Sequence, residues 1–125
     1  MESGTLTKNE EWGYMGGGVS VSSGGEFTMN GGAVTGNTEG GVYVESGGKF
    51  TMKGGTISDN KHGGVDVRGS FTMSGGSISG NKDGTGGGVY VGNGADFTMS
   101  GSSVISGNEK KIRRRFFRYG RRCVY

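Results

Sequence analysis

The phrase Phe-Thr-Met occurs four times, at Phe27-Thr28-Met29, Phe50-Thr51-Met52, Phe71-Thr72-Met73 and Phe97-Thr98-Met99, with Phe spacings of 23, 21 and 26. Self-similarity at such a period marks a repeat architecture and constrains the fold more than any local propensity. A Val-x-Val pair precedes each copy: Val19/Val21, Val42/Val44, Val65/Val67 and Val89/Val91. An aliphatic residue and an Asn follow each copy: Val34 and Asn37, Ile57 and Asn60, Ile78 and Asn81, Ile105 and Asn108. Within each phrase apolar residues alternate with Ser, Thr, Tyr or charged ones, so three short strands per repeat send one row inward and one outward.

Gly supplies 31 of the 125 residues and Pro none, which excludes a helical bundle, because Gly is costly inside helices. The fixed period separates the chain from a disordered Gly-rich one. Pairs such as Gly31-Gly32, Gly54-Gly55 and Gly75-Gly76 separate the strands and permit positive-φ corners. One repeat buries only about five apolar side chains, too few to offset the entropy of ordering it, so repeats must stack on one another. Parallel strands stacked at ~4.8 Å per coil give an all-β parallel β-helix, a solenoid of about four coils with three short strands each.

In such a stack like residues lie above like. Phe27, Phe50, Phe71 and Phe97 are expected to form an interior aromatic column beside one of Met29, Met52, Met73 and Met99. Asn37, Asn60, Asn81 and Asn108 are expected to form a ladder whose amides donate and accept along the axis. The organisation read from the chain is a partial coil and N-terminal loop over 1–18, β-helix repeats over 19–108, and a basic tail over 109–125. Val-to-Phe is eight residues in three coils and six in the third, which tightens the corner at Arg68-Gly69-Ser70. The connection from Asn81 to Val89 is three residues longer than its equivalents and bulges.

With these motifs in hand, the chain resembles the right-handed parallel β-helix repeats of bacterial surface proteins, notably polymorphic outer-membrane proteins and autotransporter passengers. The residues that carry the resemblance are Gly40-Gly41-Val42, Gly63-Gly64-Val65 and Gly87-Gly88-Val89 at the start of a strand, and the hydrophobic-x-x-Asn turns. It implies a cell-surface or secreted location and a non-enzymatic structural or adhesive role, with glycans or host surface proteins as partners. Proteins of this kind carry many more coils. Gly4-Thr5-Leu6-Thr7-Lys8-Asn9 matches Gly55-Thr56-Ile57-Ser58-Asp59-Asn60, so the chain opens part-way through a coil, as a fragment of a longer solenoid would. Open ends template pairing, so self-association through them is expected unless Trp12 and Tyr14 cover one.

The outward row Ser20, Tyr43, Asp66, Tyr90 is the alternative site: Tyr43, Asp66 and Tyr90 could contact a glycan, as in pectin-lyase-like β-helices. A glycosidase needs two carboxylates at a set separation, and Asp66, Glu45 and Arg68 read equally as an ion pair between adjacent coils. No catalytic residue, metal site or cofactor is assigned. His62 is the only His, and the Gly-rich runs are followed by no Lys-Ser/Thr of a phosphate loop. No apolar run approaches the ~20 residues of a membrane helix, and Met1-Glu2-Ser3-Gly4 begins no signal peptide.

Charge is split. Met1 to Asn108 carries six bases against ten acids, and Glu109 to Tyr125 carries eight bases against one acid. That tail also holds the only Cys, Cys123, so no intramolecular disulfide can form. Its Arg runs with Phe116, Phe117 and Tyr119 suggest binding to an anionic surface or nucleic acid, though no recognition motif specifies a nucleic-acid partner. A helical cap is another reading. The third is a coil read out of frame, through a sequence artefact, a decayed gene or a slippage switch. Arg codons of the form CGG become Gly one base later, and Arg121-Arg122-Cys123-Val124-Tyr125 can then read Gly-Gly-Val-Tyr.

Overall fold

The computed structural model describes residues 4–7, 18–82, 87–109 and 122–124, and among these every regular element is a strand. After β1 (Thr5–Thr7), the first coil comprises β2 (Val19–Val21), β3 (Glu26–Met29) and β4 (Ala33–Thr35). The second comprises β5 (Val42–Val44), β6 (Lys49–Met52) and β7 (Thr56–Ser58), and the third β8 (Val65–Val67), β9 (Ser70–Met73) and β10 (Ser77–Ser79). The fourth comprises β11 (Val89–Val91), β12 (Asp96–Met99) and β13 (Val104–Ser106), and β14 (Arg122–Val124) follows. Corresponding strands of successive coils form three sheets, β2-β5-β8-β11, β3-β6-β9-β12 and β1-β4-β7-β10-β13, all parallel. This is a parallel β-helix of four coils.

Register within the sheets has no offset. Phe27, Phe50, Phe71 and Phe97 are successive Cα partners, as are Val19, Val42, Val65 and Val89. A one-residue slip would turn a whole row of Val or Phe to solvent, so the alternation itself enforces this alignment. The rings of the Phe column stack at 5.3, 4.7 and 5.0 Å between centroids, tilted by no more than 13°. The sheet spacing imposes that near-parallel pile, since each ring rides on a strand about 4.8 Å from the next.

The interior is filled by Val21, Val44, Val67 and Val91, Met29, Met52 and Met73, and Val34, Ile57 and Ile78 around Phe50 and Phe71. Met99 departs from the expected column. It keeps register with Met73 but is 44 % exposed, because β12 is the edge strand of its sheet among the described residues. Phe97 and Ile105 are half-buried for the same reason.

Two local devices close each coil. The residue before each ladder Asn has positive φ: Gly36 at 68°, Asp59 at 56°, Gly80 at 66° and Gly107 at 65°. Gly reaches that region without strain and Asp is among the few other residues that tolerate it. The second Gly of each Gly-Gly-Val phrase is needed for a different reason: a Cβ on Gly64 would lie 2.6 Å from the Gly88 carbonyl oxygen and 2.9 Å from both Asn81 Nδ2 and Ile78 Cγ2. Gly18 and Gly41 meet the equivalent atoms, the Asn amide and aliphatic side chain of their own coil and the Gly carbonyl of the next. Gly64→Ala is therefore expected to cost about 1–3 kcal/mol by overpacking. Gly24→Ala, where nothing lies within 4 Å, carries only the strain of its φ of 84°. Urea unfolding of the two variants checks the difference.

Between the first and second strands, Gly25 N–H donates to Ser22 O, Gly48 N–H to Glu45 O and Ala95 N–H to Gly92 O, closing tight turns in coils one, two and four. The third coil has only Arg68-Gly69 there and goes directly from β8 to β9.

β14 pairs antiparallel to β11, with Val89 opposite Val124, Tyr90 opposite Cys123 and Val91 opposite Arg122. It is neither helical nor a parallel coil, so a helical cap is not what these three residues form. Trp12 and Tyr14, and the remaining tail from Lys110 to Arg121 with Phe116, Phe117 and Tyr119, lie outside the described residues.

Candidate functional site

The buried polar feature is the Asn ladder. Asn37, Asn60 and Asn81 are fully buried. Asn60 Oδ1 accepts from the backbone N–H and from Nδ2 of Asn37, both at 2.9 Å. Asn81 Oδ1 accepts from the same two groups of Asn60 at 3.0 and 2.9 Å, and Asn108 Oδ1 from those of Asn81 at 2.9 and 2.8 Å. The second amide hydrogen of Asn60 goes to Val34 O, that of Asn81 to Ile57 O and that of Asn108 to Ile78 O. Asn60 and Asn81 thus use both donor hydrogens and both acceptor positions, donating forward to the next Asn and backward to a backbone carbonyl of the preceding coil. That completeness makes the ladder structural and leaves it nothing to offer a ligand.

The outward candidate is built on the middle residue of the first strand of each coil. Ser20, Tyr43, Asp66 and Tyr90 stand in register there, each one coil from the next. Arg68 emerges at the shortened corner of the third coil. Its Nε donates to Asp66 Oδ1 at 2.7 Å and its Nη2 to Asp66 Oδ2 at 3.2 Å, a bidentate pair. Its Cζ lies 5.4 Å from the Tyr90 ring centroid and 5.9 Å from that of Tyr43, within cation–π range of both. Gly92 makes room for it, since a Cβ there would sit 2.9 Å from Arg68 Cδ.

The hydrogen bond to Asp66 raises the Arg68 pKa further above its ordinary value, with burial opposing. A raised pKa contributes stability below the unfolded value and loses it only as pH climbs through the folded one, so this cation is constant across neutral pH. The pair is half in solvent, at 46 % and 31 % side-chain exposure, and energetically small. Arg68→Ala is expected to cost less than about 1 kcal/mol, with Arg68→Lys restoring little because an ammonium cannot fork onto a carboxylate. Thermal unfolding of both variants measures this.

Tyr43, Asp66 and Tyr90 share one row as expected, and of the ion pair expected among Asp66, Glu45 and Arg68 between adjacent coils, the Asp66–Arg68 part forms. The pair is internal to one coil, because strand alternation places Arg68 two residues beyond Asp66 on the same face. Glu45 Oε1 accepts from the Ser23 backbone N–H. The two-residue spacing of Asp66 and Arg68 was the available signal for their pairing. Glu26 and Lys49 face each other in register, yet among the described residues Asp66–Arg68 is the ion pair that forms. His62 is exposed in its loop, and among the described residues no three His, Cys, Asp or Glu groups converge as a metal site would require. No helix among the described residues is long and apolar enough to cross a membrane.

A family model described as a right handed beta helix region matches residues 2–115, and the chain belongs to that family. No curated protein and no solved structure matches it. The family fixes the class: a right-handed β-helix repeat module.

Proposed function

We propose that this β-helix module is a non-enzymatic structural or adhesive element of a bacterial cell-surface or secreted protein. The observation that carries this reading is where the polar chemistry goes. The interior amides are consumed by one another and by backbone carbonyls, and the best-placed outward carboxylate, Asp66, is held through both oxygens by one edge of Arg68. A carboxylate committed to a guanidinium is a poor general acid or base, so the face offers shape and stacking instead of proton transfer. Regular rows of outward side chains on a repeating scaffold suit a spacer or a binding wall.

A second reading takes Tyr43 and Tyr90 as a glycan contact. Both rings are partly exposed on one straight row, two coils apart, with Asp66 and Arg68 between them. A glycan array probed with the wild-type chain and with the Tyr43→Ala/Tyr90→Ala double variant tests it: retention lost in the variant supports a glycan contact, and equal signals remove it. Incubation with polyuronates, followed by ultraviolet absorbance, tests the non-enzymatic reading. No unsaturated product is expected; steady product formation would overturn the assignment.

A further inference from the structure

We propose that the C-terminal end of the solenoid is the seat of a fifth coil of the same repeat, encoded one base downstream of the frame that gives the residues after Glu109. Coil stacking persists as far as Glu109. Lys61 N–H donates to Asn37 O, Lys82 N–H to Asn60 O and Glu109 N–H to Asn81 O, at 2.9, 2.9 and 2.7 Å, and Glu109 bridges in parallel to Lys82. Beyond this point the repeat pattern stops in the sequence, while residues of the last coil keep the exposure of an end. Met99 is 44 % exposed, Phe97 and Ile105 are half-buried, and β12 and β13 are edge strands.

The third sheet edge is occupied by something that is not a coil. β14 runs against the direction of every other pairing, and Arg122 falls at the register position held by Val21, Val44, Val67 and Val91. Edge strands recruit any extended segment through backbone hydrogen bonds, so pairing here needs no matching sequence.

The matching sequence lies in the adjacent frame. An Arg codon ending in two G bases, read one base later, always specifies Gly. If Arg118 to Tyr125 is written CGG TAC GGG CGG CGG TGT GTA TAT, the shifted reading is GGT ACG GGC GGC GGT GTG TAT. This is Gly-Thr-Gly-Gly-Gly-Val-Tyr, the same seven residues as Gly84-Thr85-Gly86-Gly87-Gly88-Val89-Tyr90, which lead into β11. Arg113-Arg114-Arg115-Phe116-Phe117 becomes Gly-Gly-Gly-Ser-Ser, a longer version of the connecting loop. Lys110-Lys111-Ile112 can be encoded by a run of A, where a base is most easily gained or lost. The shifted Val and Tyr would pair in parallel over Val89 and Tyr90 in place of β14, and the strands that follow would cover Phe97, Met99 and Ile105.

The gene's nucleotide sequence tests the first half. Codons ending in GG at Arg118, Arg121 and Arg122, with the shifted phrase intact, are expected; Arg codons of any other form there would overturn the proposal. The second half is tested by peroxide oxidation of Met99, followed by mass spectrometry, in the chain as it stands and in a frame-corrected one continued through its next coil. Correction is expected to slow Met99 oxidation at least about tenfold, since sulfoxidation follows exposure. An unchanged rate would overturn the seat. So would protection of Met99 in the uncorrected chain that grows with protein concentration, which would assign the end to a second copy.

Discussion

Asn60→Ala is expected to destabilise the protein by about 4–6 kcal/mol, enough to remove most or all of the stability of a domain this size. The side chain is fully buried and serves four partners: it accepts from Asn37 N–H and Nδ2 and donates to Asn81 Oδ1 and Val34 O. Truncation leaves these groups without water to replace it, and each unsatisfied buried group costs about 1–3 kcal/mol. Asn60→Asp is no rescue, because a carboxylate cannot donate to Asn81 Oδ1 and carries a charge into a buried site. Asn108→Ala, at the half-buried end of the ladder, is expected to cost only about 1–2 kcal/mol. Urea unfolding of the three variants gives the ordering; equal losses at Asn60 and Asn108 would show that the ladder does not act as a continuous buried network.

Phe71→Ala follows, with an expected loss of about 4–5 kcal/mol. Phe71 is 1 % exposed and stacked on both faces, 4.7 Å from Phe50 and 5.0 Å from Phe97. The cavity cannot collapse readily, because the neighbouring rings hang from strands whose separation is fixed by backbone hydrogen bonds. Phe97→Ala removes a ring stacked on one face at an open end and is expected to cost less than half as much. Because stability in a stacked array is a sum of coils and their interfaces, Phe71→Ala should also broaden the unfolding transition as the two halves uncouple. Calorimetry resolves both effects.

The register of the solenoid was legible in the sequence because each row is written as a repeated residue type. Phe27, Phe50, Phe71 and Phe97 could align only one way without exposing the Val and Met rows beside them. The role of the Gly-Gly-Val phrases was half legible. Positive φ explains the first Gly, but the exclusion of a Cβ at Gly64 arises from Asn81 and Ile78 of the same coil and Gly88 of the next, which only stacking brings together. Met99 reads like its three counterparts, since exposure at an end depends on the neighbour that follows and not on the residue itself. The Asp66–Arg68 pair was legible from two residues on one strand face, but the place of the guanidinium near Tyr43 and Tyr90 was not, because those rings come from other coils that only stacking brings within reach. β14 carries no repeat signature in its own frame, so neither its pairing nor its direction could be read from Arg122, Cys123 and Val124.

A crystal structure tests the stacking itself most directly. It is expected to show the four Phe rings in one interior column at centroid steps of about 5 Å, with the side-chain amides of Asn37, Asn60, Asn81 and Asn108 joined in a single directed chain. Phe side chains turned to solvent, or rows offset by a residue between coils, would contradict it.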